Sequence, residues 1–260
     1  TSPTRRGFLR AAVGAAAAAA AAVSAPRRAA AAGKREAVLA MLDRGGKQPY
    51  IPAAFFIHFD PAYHFGSAAA QKHLEYFRAT GMDFVKIQYE KTFPQIASIK
   101  RPADWAAMPS YPVDFYEPVL AAVRDLVKAA KPEALVLMTI YSPFMCAGHT
   151  TSLPMLTAHL EENPDAVRKG LEAITDSLMR FVKACIRLGV DGFYASTQGG
   201  EAGRFKDSAT FAKHVKPFDL VLMNEMKRAC PFNILHVCDY NGPYSTYAPH
   251  VDYPGHVVNC

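Results

Sequence analysis

Cysteine is scarce, five residues in 260, and tryptophan scarcer still, with a single copy. An odd number leaves at least one thiol unpaired or ligated, and a dense disulfide scaffold is excluded. Acidic residues are missing altogether from residues 1–32, which carry five arginines: Arg5, Arg6, Arg10, Arg27 and Arg28. The formal charge of +6 therefore sits in the head segment, because residues 33–260 hold 24 basic against 23 acidic side chains. A nucleic-acid binder needs its cationic surplus on a folded face, so that class is set aside. No G-x-G-x-x-G follows any apolar run, and Gly199-Gly200 alone makes no dinucleotide site. Strongly apolar runs of the roughly 20 residues that cross a bilayer are lacking too, so no stable membrane span is expected.

What is there suits a globular protein with one sizeable core: 50% hydrophobic, 11% aromatic and 20% charged residues. The head, Thr1 to Ala32, has a charged start, an apolar alanine-rich middle and small residues at its end. It resembles a twin-arginine export signal, with Arg5-Arg6 as the pair and Phe8-Leu9 as the apolar positions that follow. Cleavage after Ala25 or Ala32 and an extracytoplasmic, periplasmic destination are the corresponding expectations. A second unit, 33–260, carries the fold.

From about residue 50 short apolar runs alternate with longer amphipathic ones, the pattern of repeated strand-helix units. Ile51 to Phe59 reads as a first strand, Phe84 to Gln88 as a second, and Ala134 to Ile140 as a third whose unbroken apolar run suits burial on both faces. Gly192 to Ala195, Phe232 to Val237 and His256 to Asn259 complete six. Helices are expected over about 68–79, 115–131 and 216–229. A fourth starts at Asn163-Pro164-Asp165, which joins a cap, a first-turn proline and a first-turn acid, and it runs on an apolar stripe to Gly189. Cys146 and Cys185 read as core, and His73, His159 and His214 as solvated. One grammar occurs twice: Gly81-Met82-Asp83-Phe84 and Gly189-Val190-Asp191-Gly192 both pass from helix to glycine to aspartate to strand. The fold class is α/β, and the repeated units suggest a β/α barrel of the TIM type, with an open doubly wound sheet as the alternative. Six units are fewer than eight, so a partial barrel or an early stop is expected.

In such arrays the reacting groups lie after the C-terminal ends of the strands. Those positions hold His58 and Asp60 after the first strand, Glu90 after the second, and Tyr141, Cys146 and His149 after the third. Ser196, Gln198, Glu201 and Arg204 follow the fourth, and His236, Cys238 and Asp239 the fifth. His236 and Cys238 are two apart on a strand and so share one face, and both side chains are preferred zinc ligands. Packed core residues are the alternative for the pair.

Leu235-His236-Val237-Cys238, the LGVDGFYAST segment (Leu188 to Thr197) and Tyr141-Ser142-Pro143-Phe144 together resemble the uroporphyrinogen decarboxylase superfamily over most of residues 50–260. The resemblance implies a (β/α)8 barrel and one of two chemistries. In the methyltransferase branch, His236 and Cys238 are two zinc ligands that activate a substrate thiol, with a corrinoid protein as partner. A third ligand is due downstream, and Cys260, His58 or Glu90 are the local substitutes. The decarboxylase branch acts on a carboxylated tetrapyrrole without a cofactor, and its arginine-bearing segment is replaced here by Phe55-Phe56-Ile57-His58-Phe59-Asp60-Pro61, which has no arginine. The leading expectation is an exported enzyme acting on a small molecule by zinc-assisted methyl transfer. Glu90, Tyr141 and His149 are its catalytic candidates, and His58, Asp60, Ser196, Gln198, Arg204 and Asp239 its substrate contacts. Cofactor-free decarboxylation, and a non-catalytic binding barrel, are the other two readings.

Overall fold

The computed structural model describes residues 33–43, 50–238 and 247–259. The head segment with its export signal, Asp239 and Cys260 lie outside them. The chain divides into two units, 1–32 and 33–260, and the second carries the fold. Its elements in order are α1 (Lys34–Ala40), α2 (Gly66–Thr80), β1 (Phe84–Ile87), α3 (Glu117–Ala130), β2 (Leu135–Tyr141), α4 (Pro143–Thr150), α5 (Leu153–Glu162), α6 (Pro164–Leu188), β3 (Gly192–Thr197), α7 (Ala209–His214), α8 (Lys216–Ala229), β4 (Ile234–Val237) and β5 (Val257–Asn259). The five strands form one sheet in chain order, every neighbouring pair parallel. Right-handed β/α crossovers in sequential order are the architecture of a TIM-type barrel.

Strand parity divides the core in two. Val85, Ile87, Val136, Met138, Ile140, Phe193, Ala195, Leu235 and Val237 pack with the helices, while Phe84, Leu135, Leu137, Tyr194, Phe232 and Ile234 form a separate cluster that Val38 of α1 closes. The second set lines the concave interior, and α1 plugs its N-terminal end. The helix boundaries follow their signals. On α6 the Asn163 side chain accepts from Ala166 N at 3.1 Å, and Gly189 stops the helix at φ 92°. Gly81 does the same for α2 at φ 68°.

The repeated aspartate has a concrete task at the foot of the strands. Asp191 N donates to Val136 O at 2.8 Å, and Val136 N donates back to Asp191 Oδ2 at 3.0 Å. Asp83 holds Ala53 in the same way, at 2.8 and 2.7 Å. A third foot uses asparagine, Asn233 Oδ1 accepting from Phe193 N at 3.0 Å. Asp191 is buried, yet it is matched by Arg35 at 2.8 Å and Lys131 at 3.4 Å.

Three expectations need correction. Ile51 to Phe59 occupies the place of a first strand, latched to Asp83, but it forms no ladder with β1, and Ile51, Phe55, Phe56 and Ile57 are exposed. Without ladder partners its apolar character does not make it a strand. Cys146 and His149 sit on α4 rather than a loop, because Ser142 caps the helix, accepting from Met145 N at 3.3 Å, and Pro143 takes the first position. His73 and His159 are buried: His73 accepts from Gln88 N at 3.1 Å, and His159 Nδ1 accepts from Trp105 Nε1 at 3.0 Å, each tying a helix to an irregular segment. Cys146 and Cys185 are core, as read.

Replacing Asp191 tests the latch. Asp191→Ala leaves an inward-facing cation and an unmatched strand amide, and is expected to cost about 3 kcal/mol or more. Asp191→Asn, which keeps the acceptor, should cost clearly less. Urea unfolding midpoints at constant m-value read the difference.

Candidate functional site

Within the barrel interior the polarity changes along the strand direction. At the foot, Phe84, Leu135 and Phe232 are apolar; toward the C-terminal ends the same parity carries Lys86, Gln88, Ser196, Gln198, His236 and Cys238. Ser196 stands opposite His236 in register, and His236 opposite Asn259.

Lys86 is the unexpected member. It lies in the middle of β1, only 7% exposed, with its ammonium nitrogen 4.1 Å from the Phe56 ring centre and 4.2 Å from that of Tyr194. Its amine donates to the Gln88 side-chain oxygen, and it makes no ion pair with any carboxylate among the described residues. Burial pulls its pKa from 10.5 down to about 7, against the opposing fields of Glu90 and Cys238. The signal was in the sequence: a lysine inside the apolar run Phe84-Val85-Lys86-Ile87, at an inward-facing position. Reading only the residues that follow each strand misses it.

Several sequence-predicted residues meet around this lysine. Glu90 Oε1 is 2.9 Å from His58 Nδ1 and 4.0 Å from His64 Nε2, a carboxylate-imidazole pair at the mouth. His58 also lies 3.5 Å from the Gln88 side-chain nitrogen. Gln198 Nε2 donates to Cys238 Sγ at 3.7 Å, and Cys238 N continues the ladder to Thr197 O at 2.9 Å. His236 stacks obliquely on Tyr194, centroids 5.0 Å apart, and its Nδ1 is 3.2 Å from Asn259 O; burial lowers its pKa.

The remaining candidates lie elsewhere. Tyr141 contacts Tyr89 and His149, with ring centroids 5.1 and 5.6 Å away, and burial lowers the His149 pKa. Asp60 caps a short 3-10 turn, accepting from Ala62 N at 3.0 Å. Arg204 is paired to Glu201 at 3.1 Å, and Glu201 also accepts from Gly199 N at 2.9 Å, so this guanidinium braces its own loop.

Among the described residues the donor set for zinc stops at two. His236 and Cys238 are ligand types on one face, but among the described residues no group of three or more His, Cys, Asp or Glu side chains is placed to hold a metal ion. The pair alone supplies half of a four-coordinate site.

Two more buried groups escaped the sequence reading. His250 is fully buried among Phe211, Tyr247 and Tyr253, with no partner on either ring nitrogen among the described residues, and burial takes its pKa to about 4. Asp219 of α8 accepts from Thr197 Oγ1 at 2.5 Å and Tyr253 OH at 2.9 Å, its other oxygen without a partner among the described residues, and burial lifts its pKa to about 7.

A sequential parallel β/α array with a polar, lysine-bearing interior at its strand ends defines a barrel of the TIM type with its functional face in the usual place. Residues 74–255 match the uroporphyrinogen decarboxylase (URO-D) family, and the chain belongs to it. A solved methyltransferase from Methanosarcina mazei shares the fold, with a TM-score of 0.64 and 14% identity over 87% of this chain and 75% of that one. No curated protein matches. Among the described residues no helix is long and apolar enough to cross a membrane.

Asp219 makes a pH test. Its folded pKa of about 7 exceeds the ordinary 3.8, so its contribution is fully present below about pH 4 and lost as pH rises through about 7. Asp219→Asn should therefore gain on the wild type progressively between those limits and keep the full gain above them, about 2 to 4 kcal/mol at about pH 8. Urea titrations at about pH 4, 6 and 8 read it; a pH-independent difference would count against the buried carboxyl.

Proposed function

We propose that this URO-D-family chain is an enzyme that decarboxylates a small carboxylic acid at the mouth of the barrel, using its own side chains around Lys86. The observation that carries the reading is the inward-facing amine held between two aromatic rings, with no carboxylate partner among the described residues. A carboxylate brought there loses water and gains a cationic neighbour; as carbon dioxide leaves, charge disperses into the substrate, where Lys86 and Gln88 stabilise it. The Glu90 and His58 pair at 2.9 Å is the proton carrier for the carbon left behind. A polyanionic tetrapyrrole suits the site less well, because segment 55–61 carries no arginine and Arg204 is already paired.

The Gln198 to Cys238 hydrogen bond favours a second reading, since an amide donor stabilises a thiolate. In it His236 and Cys238 would hold zinc and the chain would move a methyl group from a corrinoid protein to a thiol. Export by the twin-arginine route remains part of the proposal for the full chain, supported by Arg5-Arg6, Phe8-Leu9 and the alanine run.

Carbon dioxide release from acetoacetate, oxaloacetate and a carboxylated porphyrinogen tests the first reading. Activity on a small keto acid, reduced about 100-fold or more in Lys86→Met, is expected. Stoichiometric zinc lost in His236→Ala, with methyl transfer and no carbon dioxide from any of the three acids, would replace it with the second.

A further inference from the structure

We propose that Lys86 acts covalently, its amine condensing with a ketone or aldehyde group of the substrate to form an iminium ion. The decarboxylation step below rests on the function proposed above; the condensation does not.

Four features of the site converge on an amine nucleophile. Lys86 projects from β1 into the barrel interior, by the same parity as Phe84, and not into the helix layer. Among the described residues its one hydrogen-bond partner is the Gln88 amide oxygen, which accepts from an amine and an ammonium alike. Burial leaves a large share of the amine neutral at physiological pH, the condition for lysine to attack carbonyl carbon. The ring faces of Phe56 and Tyr194, at 4.1 and 4.2 Å, attract a cation and would hold the permanent charge of an iminium as well as that of an ammonium. A lysine serving only as a structural counter-ion would have a carboxylate beside it, as Lys131 has Asp191 at 3.4 Å.

The chemistry balances with water and protons alone. The neutral Lys86 amine gives its lone pair to the carbonyl carbon, the C=O π pair moves to oxygen, and a proton passes from nitrogen to that oxygen. The carbinolamine then expels its hydroxyl, protonated, as water, leaving C=N⁺. In a β-keto acid the bond to the carboxylate breaks next, its electron pair moving toward the iminium nitrogen, so that carbon dioxide departs and an enamine remains. Protonation at carbon and addition of one water return the ketone and the free amine. Glu90, whose charge is felt at Lys86, and its partner His58 are the proton-carrying groups within the mouth.

Reductive trapping reads the covalent step directly. The full chain is incubated with acetoacetate and sodium cyanoborohydride at neutral pH, then followed by intact mass and peptide mapping. The expected result is one reduced adduct per chain, carried by the Lys86 peptide at least about tenfold in excess of any other lysine, as the neutral fractions of the amines dictate. Lys86→Arg, which keeps the charge, should give no such adduct while retaining the wild-type circular dichroism spectrum. Mapping on the wild type decides the point even if that variant does not fold. Exchange of the ketone oxygen with heavy-oxygen water, faster with the protein than without it, is the second expected signature. An absent adduct, or one spread evenly over exposed lysines, overturns the proposal. Carbon dioxide release without an adduct would leave decarboxylation standing and remove the iminium, whereas an adduct without carbon dioxide release would do the reverse.

Discussion

The latch at the foot of β1, β3 and β4 is the constraint on which the rest depends. Asp83, Asp191 and Asn233 each accept an amide from the element before them, from Ala53, Val136 and Phe193 respectively. A parallel strand can slip along its neighbour, and a slip of one residue exchanges its inward and outward faces. A side-chain acceptor directly before β1, β3 and β4 removes that freedom. Phe84 and Lys86 then face the interior while Val85 and Ile87 face the helices. The reactive parity is thus set at the end of the barrel opposite the chemistry.

Much of this was readable because the signals are local. The glycine-to-aspartate passage, the cap at Asn163 and the apolar stripe of α6 each act within a few residues, and the structure keeps them. Segment 51–59 was not readable in the same way, since being a strand depends on finding a neighbour and no window of its own sequence contains one. The second helical layer after β2 was hidden for a different reason: Ser142-Pro143 is a helix start placed directly against a strand end, and it looks like loop chemistry.

The sequence offered the site's residues singly and missed its centre. Glu90, His58, Gln198 and Cys238 were each picked out past a different strand, and that Glu90 meets His58 and Gln198 meets Cys238 only the fold reveals. Lys86, Asp219 and His250 lie in a strand, a helix and a short turn, and what sets them apart is burial, which spacing does not report. Burial moves all three toward neutrality, from opposite directions: amine and imidazole down, carboxyl up.

Two buried charges of this fold are treated in contrasting ways, and the contrast separates stability from function. Asp191 at the foot is met by a guanidinium, an ammonium and a backbone amide, so nearly every demand of its carboxylate is satisfied and nothing remains to bind. Lys86, further along the barrel, has two ring faces and one amide oxygen. An unmatched buried ammonium is costly, and a fold without a use for it would be more stable with an apolar residue among Phe84, Leu137 and Tyr194. The place where the barrel tolerates that cost is the half where the family's reacting groups are expected, and the matched aspartate occupies the half where they are not.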